Sequence, residues 1–272
     1  MAKERLDALL VRLNLCSSRQ KAQGLIRAGE VMVNKEVVDK PGTVVNLDAL
    51  IEVKERSPFV SRGGHKLEKA LIFFSISVNN RVCLDGGIST GGFTDCLLQA
   101  GVKLVYGIDV GYGQVDWGLR NDPRVVLRER TNLRYLTSSQ LYGILSEDRA
   151  DFAAVDVSFI SLTKVLPALW ELLIPPREAV LLVKPQFEVG KGRVGKKGVV
   201  RSPKDQTDAI FKVCEVANSL GWGYKGLTWS PLVGPAGNIE YLLWLRMDGE
   251  GMPGEEAIAL ITLAAKTELI NN

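Results

Sequence analysis

The segment Asp85-Gly-Gly-Ile-Ser-Thr-Gly-Gly-Phe93 has the residue types of a ligand cradle. An apolar run at 81–84 precedes it, and residues 94–101, ending in glycine, follow with the character of a helix. Strand, glycine turn and helix open a doubly wound α/β domain, in which ligands bind beyond the carboxyl ends of the strands. The glycine spacing narrows the ligand. Gly87 is separated from Gly91-Gly92 by Ile88, Ser89 and Thr90, which is not the G-x-G-x-x-G of a dinucleotide fold. Phe93, not lysine, follows Gly92, so a P-loop is excluded. A second apolar run at 103–108 ends on Asp109, placed to accept hydrogen bonds from ribose hydroxyls. Together Asp85, Gly87, Ser89, Thr90, Gly91, Gly92, Phe93 and Asp109 suit a nucleoside ligand without a polyphosphate, and S-adenosyl-L-methionine fits that description. The competing reading is a tight turn that closes helix on strand and binds nothing.

Two further charged residues end apolar runs: Asp156 follows Phe152-Ala-Ala-Val155, and Lys184 follows Ala179-Val-Leu-Leu-Val183. The strand pattern puts both at the same sheet edge as Asp109. A lysine there is unusual for a structural role, because partial burial disfavours its ammonium form. The bland alternatives are an ion pair for Lys184 and a helix cap or turn acid for Asp156.

The elements that must position these groups fall into two blocks. Residues 1–58 read as a small α+β module. Leu6, Leu9, Leu10 and Leu13 have helical spacing, and Ser17-Ser18 caps a second helix stopped by Gly29. Residues 31–38 read as strand, turn at Asn34-Lys35 and strand; 44–45 and 50–53 complete a small sheet. Proline punctuates the linker at Arg56-Ser-Pro-Phe59, with the joint at 59–63 and a larger domain at 64–272. A helix over 60–71 carries Lys66. Strands at 81–84, 103–108, 125–127, 152–155 and 179–183 alternate with helices. A helix over 208–220 precedes strands at 224–229 and 240–245, whose short connection makes them an antiparallel pair. The stretch 255–269 is amphipathic enough to pack on the core. The fold class is α/β, a Rossmann-like seven-stranded sheet beside a small α+β domain.

Composition excludes several classes. At 46% hydrophobic and 24% charged residues, the 272-residue chain is of the soluble globular kind. Four scattered cysteines and a single histidine argue against a zinc site, so no metal is expected. The N-terminus lacks a signal core and no apolar run is long enough to span a bilayer; a cytoplasmic protein with reduced thiols and no membrane partner is expected. Net charge of +3 is modest, but it is unevenly spread. Residues 184–204 hold seven basic residues and one acid, in a glycine-rich loop suited to a phosphate backbone. Lys191, Arg193, Lys196 and Lys197 are its candidate contacts. In the first module Arg12, Arg19, Lys21, Arg27 and Lys35 could line a basic face, although ten basic residues there meet eight acids.

Two resemblances sharpen the reading. The pattern from Ser18 to Lys35 resembles the αL-type RNA-binding module of a small-subunit ribosomal protein, also found in pseudouridine synthases. Ser61-Arg-Gly-Gly-His-Lys66, 85–93, Val155-Asp-Val-Ser-Phe-Ile160, Val183-Lys-Pro-Gln-Phe-Glu188 and Asn238-Ile-Glu-Tyr241 together resemble the TlyA family, which joins that module to an FtsJ-like methyltransferase domain. Ser-Thr-Gly-Gly stands where FtsJ-like enzymes have Ala-Pro-Gly-Gly, a departure the TlyA type shares. The resemblance implies methylation of a ribose 2′-hydroxyl in ribosomal RNA, with cytidine as target, S-adenosyl-L-methionine as donor and ribosomal RNA or ribosomal subunits as partners; no obligate protein partner is evident in the sequence. It also implies a catalytic tetrad of Lys66, Asp156, Lys184 and Glu240. Arg62, within the Ser61–Lys66 motif, is a further candidate RNA contact. The chemistry of a ribose hydroxyl suggests Lys184 as the base, Lys66 as a second cation that lowers its pKa, Asp156 as the group that orients Lys184 and the hydroxyl, and Glu240 as a support for Lys66 or the ribose. Phe159 and Phe187 could stack on a flipped base or belong to the core. The alternatives are a non-enzymatic RNA-binding assembly factor and, more weakly, a membrane-active haemolysin.

Overall fold

The computed structural model describes residues 2–53, 57–143 and 147–270, without the side chains of Lys191 and Ile270. Arg56 of the expected linker lies outside the described residues. The chain divides into two compact units, Met1–Pro58 and Phe59–Asn272.

In the first unit β1 (Lys3–Arg5) leads into α1 (Leu6–Arg12), and Ser18 caps α2 (Arg19–Arg27) by accepting the Lys21 amide. Leu6, Leu9, Leu10, Ala22 and Ile26 are buried between the two helices and the strands; each large side chain contributes about 1.5–3 kcal/mol of transfer free energy. Strands β2 (Val31–Val33), β3 (Glu36–Val37) and β5 (Ile51–Val53) form one antiparallel sheet, and β4 (Val44–Asn46) pairs with β1. Asn34 and Lys35, both at positive φ, make the expected hairpin turn.

The second unit is built on seven strands: β6 (Val82–Gly86), β7 (Leu104–Ile108), β8 (Val125–Arg128), β9 (Phe152–Val155), β10 (Glu178–Val183), β11 (Gly223–Trp229) and β12 (Tyr241–Arg246). Their order is β11-β12-β10-β9-β6-β7-β8, parallel except for β12, which is antiparallel to both of its neighbours. Every residue of β9 and β10 is buried, as continuous apolar runs require when both sheet faces are covered. Alternate residues face opposite layers. Phe152, Ala154, Val180 and Leu182 pack with α3 (Gly63–Phe73) and α4 (Gly92–Gln99). Ala153, Val155, Leu181 and Val183 pack with α7 (Leu166–Leu172), α9 (Pro203–Ser219) and α10 (Glu255–Ile270). Short helices α5 (Trp117–Arg120), α6 (Ser138–Tyr142) and α8 (Pro185–Glu188) complete the connections. Helix α9 starts five residues before the expected 208, because Ser202 caps it and Pro203 occupies its first position. Among the described residues no helix is long and apolar enough to cross a membrane.

Candidate active site

The cradle begins where β6 ends. Gly87 has φ +87, and a Cβ there would sit 2.6 Å from the Asp156 carbonyl oxygen; Gly91 has φ +103. Both positions demand glycine. Between them Ser89 is held at φ +50 by Asp109, whose Oδ2 accepts the Ser89 amide at 2.8 Å. Asp109 Oδ1 accepts the Gly111 amide at 2.7 Å. A carboxylate has about four acceptor positions, so Asp109 keeps capacity for ribose hydroxyls.

Two cavities flank the turn. The larger, about 890 Å³, is walled by Gly87, Ser89, Asp109, Asn132, Asp156 and Ser158 among others. The smaller, about 340 Å³, is walled by Arg62, Lys66, Ser89, Thr90, Gly92 and Asp156 among others. Gly87, Ser89 and Asp156 belong to both. Phe93 reaches the smaller cavity from a core position. Asp85 lies beneath the turn, buried, with its Oδ2 accepting the Thr94 hydroxyl at 2.7 Å. Its Oδ1 is buried without a hydrogen-bond partner among the described residues. Desolvation pushes this carboxyl up to about 7, against the Thr94 hydrogen bond and with the Asp156 charge adding to the rise.

The four tetrad candidates come from α3, the ends of β9 and β10, and the start of β12, and they form two ion pairs. Lys66 Nζ donates to Glu240 Oε2 at 2.6 Å, with Glu240 only 3% exposed. Lys184 Nζ lies 2.6 Å from Asp156 Oδ1 and donates to Ser158 Oγ at 2.8 Å. Lys184 is 9% exposed, so its charge is held by these neighbours rather than by water. The contact of Lys66 is therefore to Glu240.

Residues that sequence reasoning passed over support this frame. Glu188, buried, accepts Ser161 Oγ at 2.5 Å and the Leu162 amide at 2.8 Å, tying the loop after β9 to α8 after Lys184. Burial raises the Glu188 carboxyl above its usual range, against those two hydrogen bonds. Asn238 accepts the Val200 amide and donates to the Gly198 carbonyl, both at 2.9 Å, fixing the end of the basic loop two residues from Glu240. Ser158 and Asn238 stand inside quoted motifs, but nothing in their spacing shows which chain segment they reach.

Residues 59–247 match the FtsJ-like methyltransferase family, and residues 4–51 match the S4 domain. The chain is 50% identical over 245 residues to the 16S/23S rRNA (cytidine-2′-O)-methyltransferase TlyA of Mycobacterium tuberculosis, covering 89% of each. This chain belongs to the FtsJ-like methyltransferase family, of the TlyA type. It is also 42% identical over 243 residues to hemolysin A of Brachyspira hyodysenteriae, covering 88% of this chain and 98% of that one. A solved Streptococcus thermophilus structure matches with TM-score 0.76 at 40% identity, over 100% of this chain and 98% of the other. S-adenosylmethionine is the methyl donor of an FtsJ-like methyltransferase, and the larger cavity fits it. The cavity lies at the strand ends with spare acceptors on Asp109, and the orphaned Asp85 oxygen lies under the turn.

For the S4 domain of this FtsJ-like chain, the structure separates the basic candidates. Arg12 pairs with Glu4 at 2.8 Å. Arg19, with Arg5 and Gln23, surrounds the buried Asp7, and the Arg5 guanidinium above all holds that carboxyl well below the usual range. Lys21, Arg27 and Lys35 are exposed and, among the described residues, carry no ion pair. Lys21 and Arg27 stand about 120° apart around α2, so the cations do not share one stripe. In the methyltransferase domain Arg62 is exposed at the smaller cavity. Lys196 and Lys197 wall a third cavity of about 460 Å³ with Arg193, which pairs with Asp205 and Asp208; the Lys191 side chain lies outside the described residues.

Proposed function

We propose that this protein methylates a ribose 2′-hydroxyl, of a cytidine, in ribosomal RNA. The observation that carries the reading is the Lys184–Asp156–Ser158 cluster, which meets the wall shared by the two cavities at Asp156. A hydroxyl placed there has a base and a methyl source on different sides.

S-adenosylmethionine, when bound, supplies a methyl group activated by its positive sulfur. Asp109 would hold its ribose hydroxyls, the 87–92 turn would let it approach the backbone, and Asp85 would lie under that turn. A ribose hydroxyl is a poor nucleophile until its proton is withdrawn. Lys184, as the neutral amine, would take that proton, and the ammonium that forms would stay paired with Asp156 and Ser158. Glu240 fixes Lys66 at the wall of the smaller cavity, where its charge can hold the RNA sugar-phosphate in line. Phe159, 92% exposed and at φ +64, sits 5.3 Å from the Phe187 ring and offers a stacking face for an extruded base. Such a substrate sets the work in the cytoplasm.

The test uses labelled S-adenosylmethionine with separated ribosomal subunits and naked ribosomal RNA. Wild type should label RNA, and Lys184→Ala should lose about 100-fold or more in rate while keeping cofactor binding and its melting curve. A folded Lys184→Ala protein labelling RNA near the wild-type rate would sink the base assignment. Binding of RNA by a wild type that takes up no cofactor would favour the assembly-factor reading.

A further inference from the structure

Lys184 has more than one partner. Its Nζ is 2.6 Å from Asp156 Oδ1 and 2.8 Å from Ser158 Oγ. A lysine nitrogen bonded to its own chain has three remaining tetrahedral directions. Ser158 Oγ accepts along one of them. The Asp156 carboxylate balances the charge at ion-pair distance, without the geometry of a hydrogen bond. With Asp156 alone, the amine could rotate about its Cε–Nζ bond and sweep a lone pair through a cone. The directed bond to Ser158 removes that freedom.

The segment that carries Ser158 is anchored at both ends. It belongs to the segment between Asp156 and the turn that begins at Leu162, and it walls the larger cavity. Glu188 grips the far end of that segment through Ser161 and Leu162. In between, Phe159 takes a left-handed conformation that turns its ring to solvent and against Phe187. Ser158 and Phe159 are exposed, so the segment is held from its ends: the Asp156 amide donates to the Gly86 carbonyl at 2.8 Å, and Glu188 holds Ser161 and Leu162.

We infer that Ser158 is a positioning residue that, with Asp156, aims the lone pair of Lys184 at the substrate hydroxyl; this rests on Lys184 being the base. The proton balance is unchanged by it: the hydroxyl proton passes to Lys184 Nζ, the hydroxyl oxygen bonds the methyl carbon, and the carbon–sulfur pair stays on sulfur. Ser158 neither gains nor loses a proton.

The experiment compares full-length wild type, Ser158→Ala, Ser158→Thr and Lys184→Ala in steady-state methyl transfer, with cofactor affinity by calorimetry and melting curves as fold controls. Ser158→Ala should lower kcat about 10- to 100-fold, the scale of a misaligned reacting group. KM for RNA and cofactor Kd should stay within about twofold. Ser158→Thr, which keeps the hydroxyl, should recover most of the loss. A merely structural serine would move affinity or melting temperature along with kcat, and a hydroxyl-bearing variant would not restore the rate selectively. A wild-type kcat in Ser158→Ala beside an inactive Lys184→Ala overturns the positioning role and leaves the base assignment standing. A wild-type kcat in Lys184→Ala overturns both.

Discussion

Burial at the end of β6 gives Asp85 an ionisation that can be read out without any substrate. In the unfolded chain it ionises near the ordinary aspartate value, about 3.9; in the fold its carboxyl is pushed up to about 7, chiefly by desolvation. Between those two values the folded state binds a proton that the unfolded state does not. Stability therefore falls as pH rises through that window, by on the order of 2–4 kcal/mol from this group. Asp85→Asn removes the ionisation while its amide oxygen can still accept the Thr94 hydroxyl. The variant should melt well above wild type at pH 8 in the absence of cofactor, with the difference shrinking toward pH 4. Thermal melts at both pH values check this, and parallel pH profiles for the two proteins would contradict it. The acid was visible in the sequence as the start of a cradle, but its burial was not. The pairing of Lys66 with Glu240, 174 positions apart, was one of two roles expected for Glu240, and no spacing in the sequence chooses between them. Residue types name the chemistry, whereas long-range contacts depend on which strands end side by side.

At the scale of elements, the sheet is locked at the end opposite the cradle. Arg81, just before β6, binds Asp151, just before β9, at 2.8 Å, and Glu178 at the start of β10 at 2.6 Å. Trp244 of β12 donates to the other Glu178 oxygen at 2.8 Å. Glu178 is buried, so taking away the guanidinium leaves its charge uncompensated, a change that costs about 3–5 kcal/mol when a buried pair is broken. Arg81→Met should lose that much in denaturant unfolding of the methyltransferase domain. Cofactor Kd measured below the transition should stay within about twofold, because the cluster is at the amino ends of the parallel strands. A variant with wild-type stability would show that the cluster is solvated rather than structural. The core strands were legible because apolar runs bounded by turn residues leave little freedom. The strand β1 was not, since Lys3-Glu-Arg carries no apolar alternation and exists only by pairing with β4. Asp7 gave no signal either: an acid in the first turn of α1 reads as a surface residue until Arg5, Arg19 and Gln23 close over it.

On the scale of the whole molecule, a net charge of +3 is too small to hold RNA by bulk attraction, so affinity must come from local sets of cations. In the S4 domain the structure divides these sets by what they already do. Arg12 and Arg19 are committed to Glu4 and Asp7, whereas Lys21, Arg27 and Lys35 are exposed and unpaired among the described residues. Each lysine or arginine that neutralises a phosphate adds about 0.7–0.9 to the slope of log affinity against log salt. Replacing Lys21, Arg27 and Lys35 with glutamine should therefore flatten that slope by about 2–3 for ribosomal RNA, weaken binding most at low salt, and leave cofactor affinity and melting temperature unchanged. Arg19→Gln should behave differently: it uncovers a buried carboxylate, so it should lower the melting temperature of the S4 domain more than it changes the slope. Filter binding across a salt series, with melting curves for both proteins, separates the two effects. A triple variant with the wild-type slope would move the phosphate contacts to Arg62 and the 184–204 loop, where Lys196 and Lys197 would become the next pair to replace.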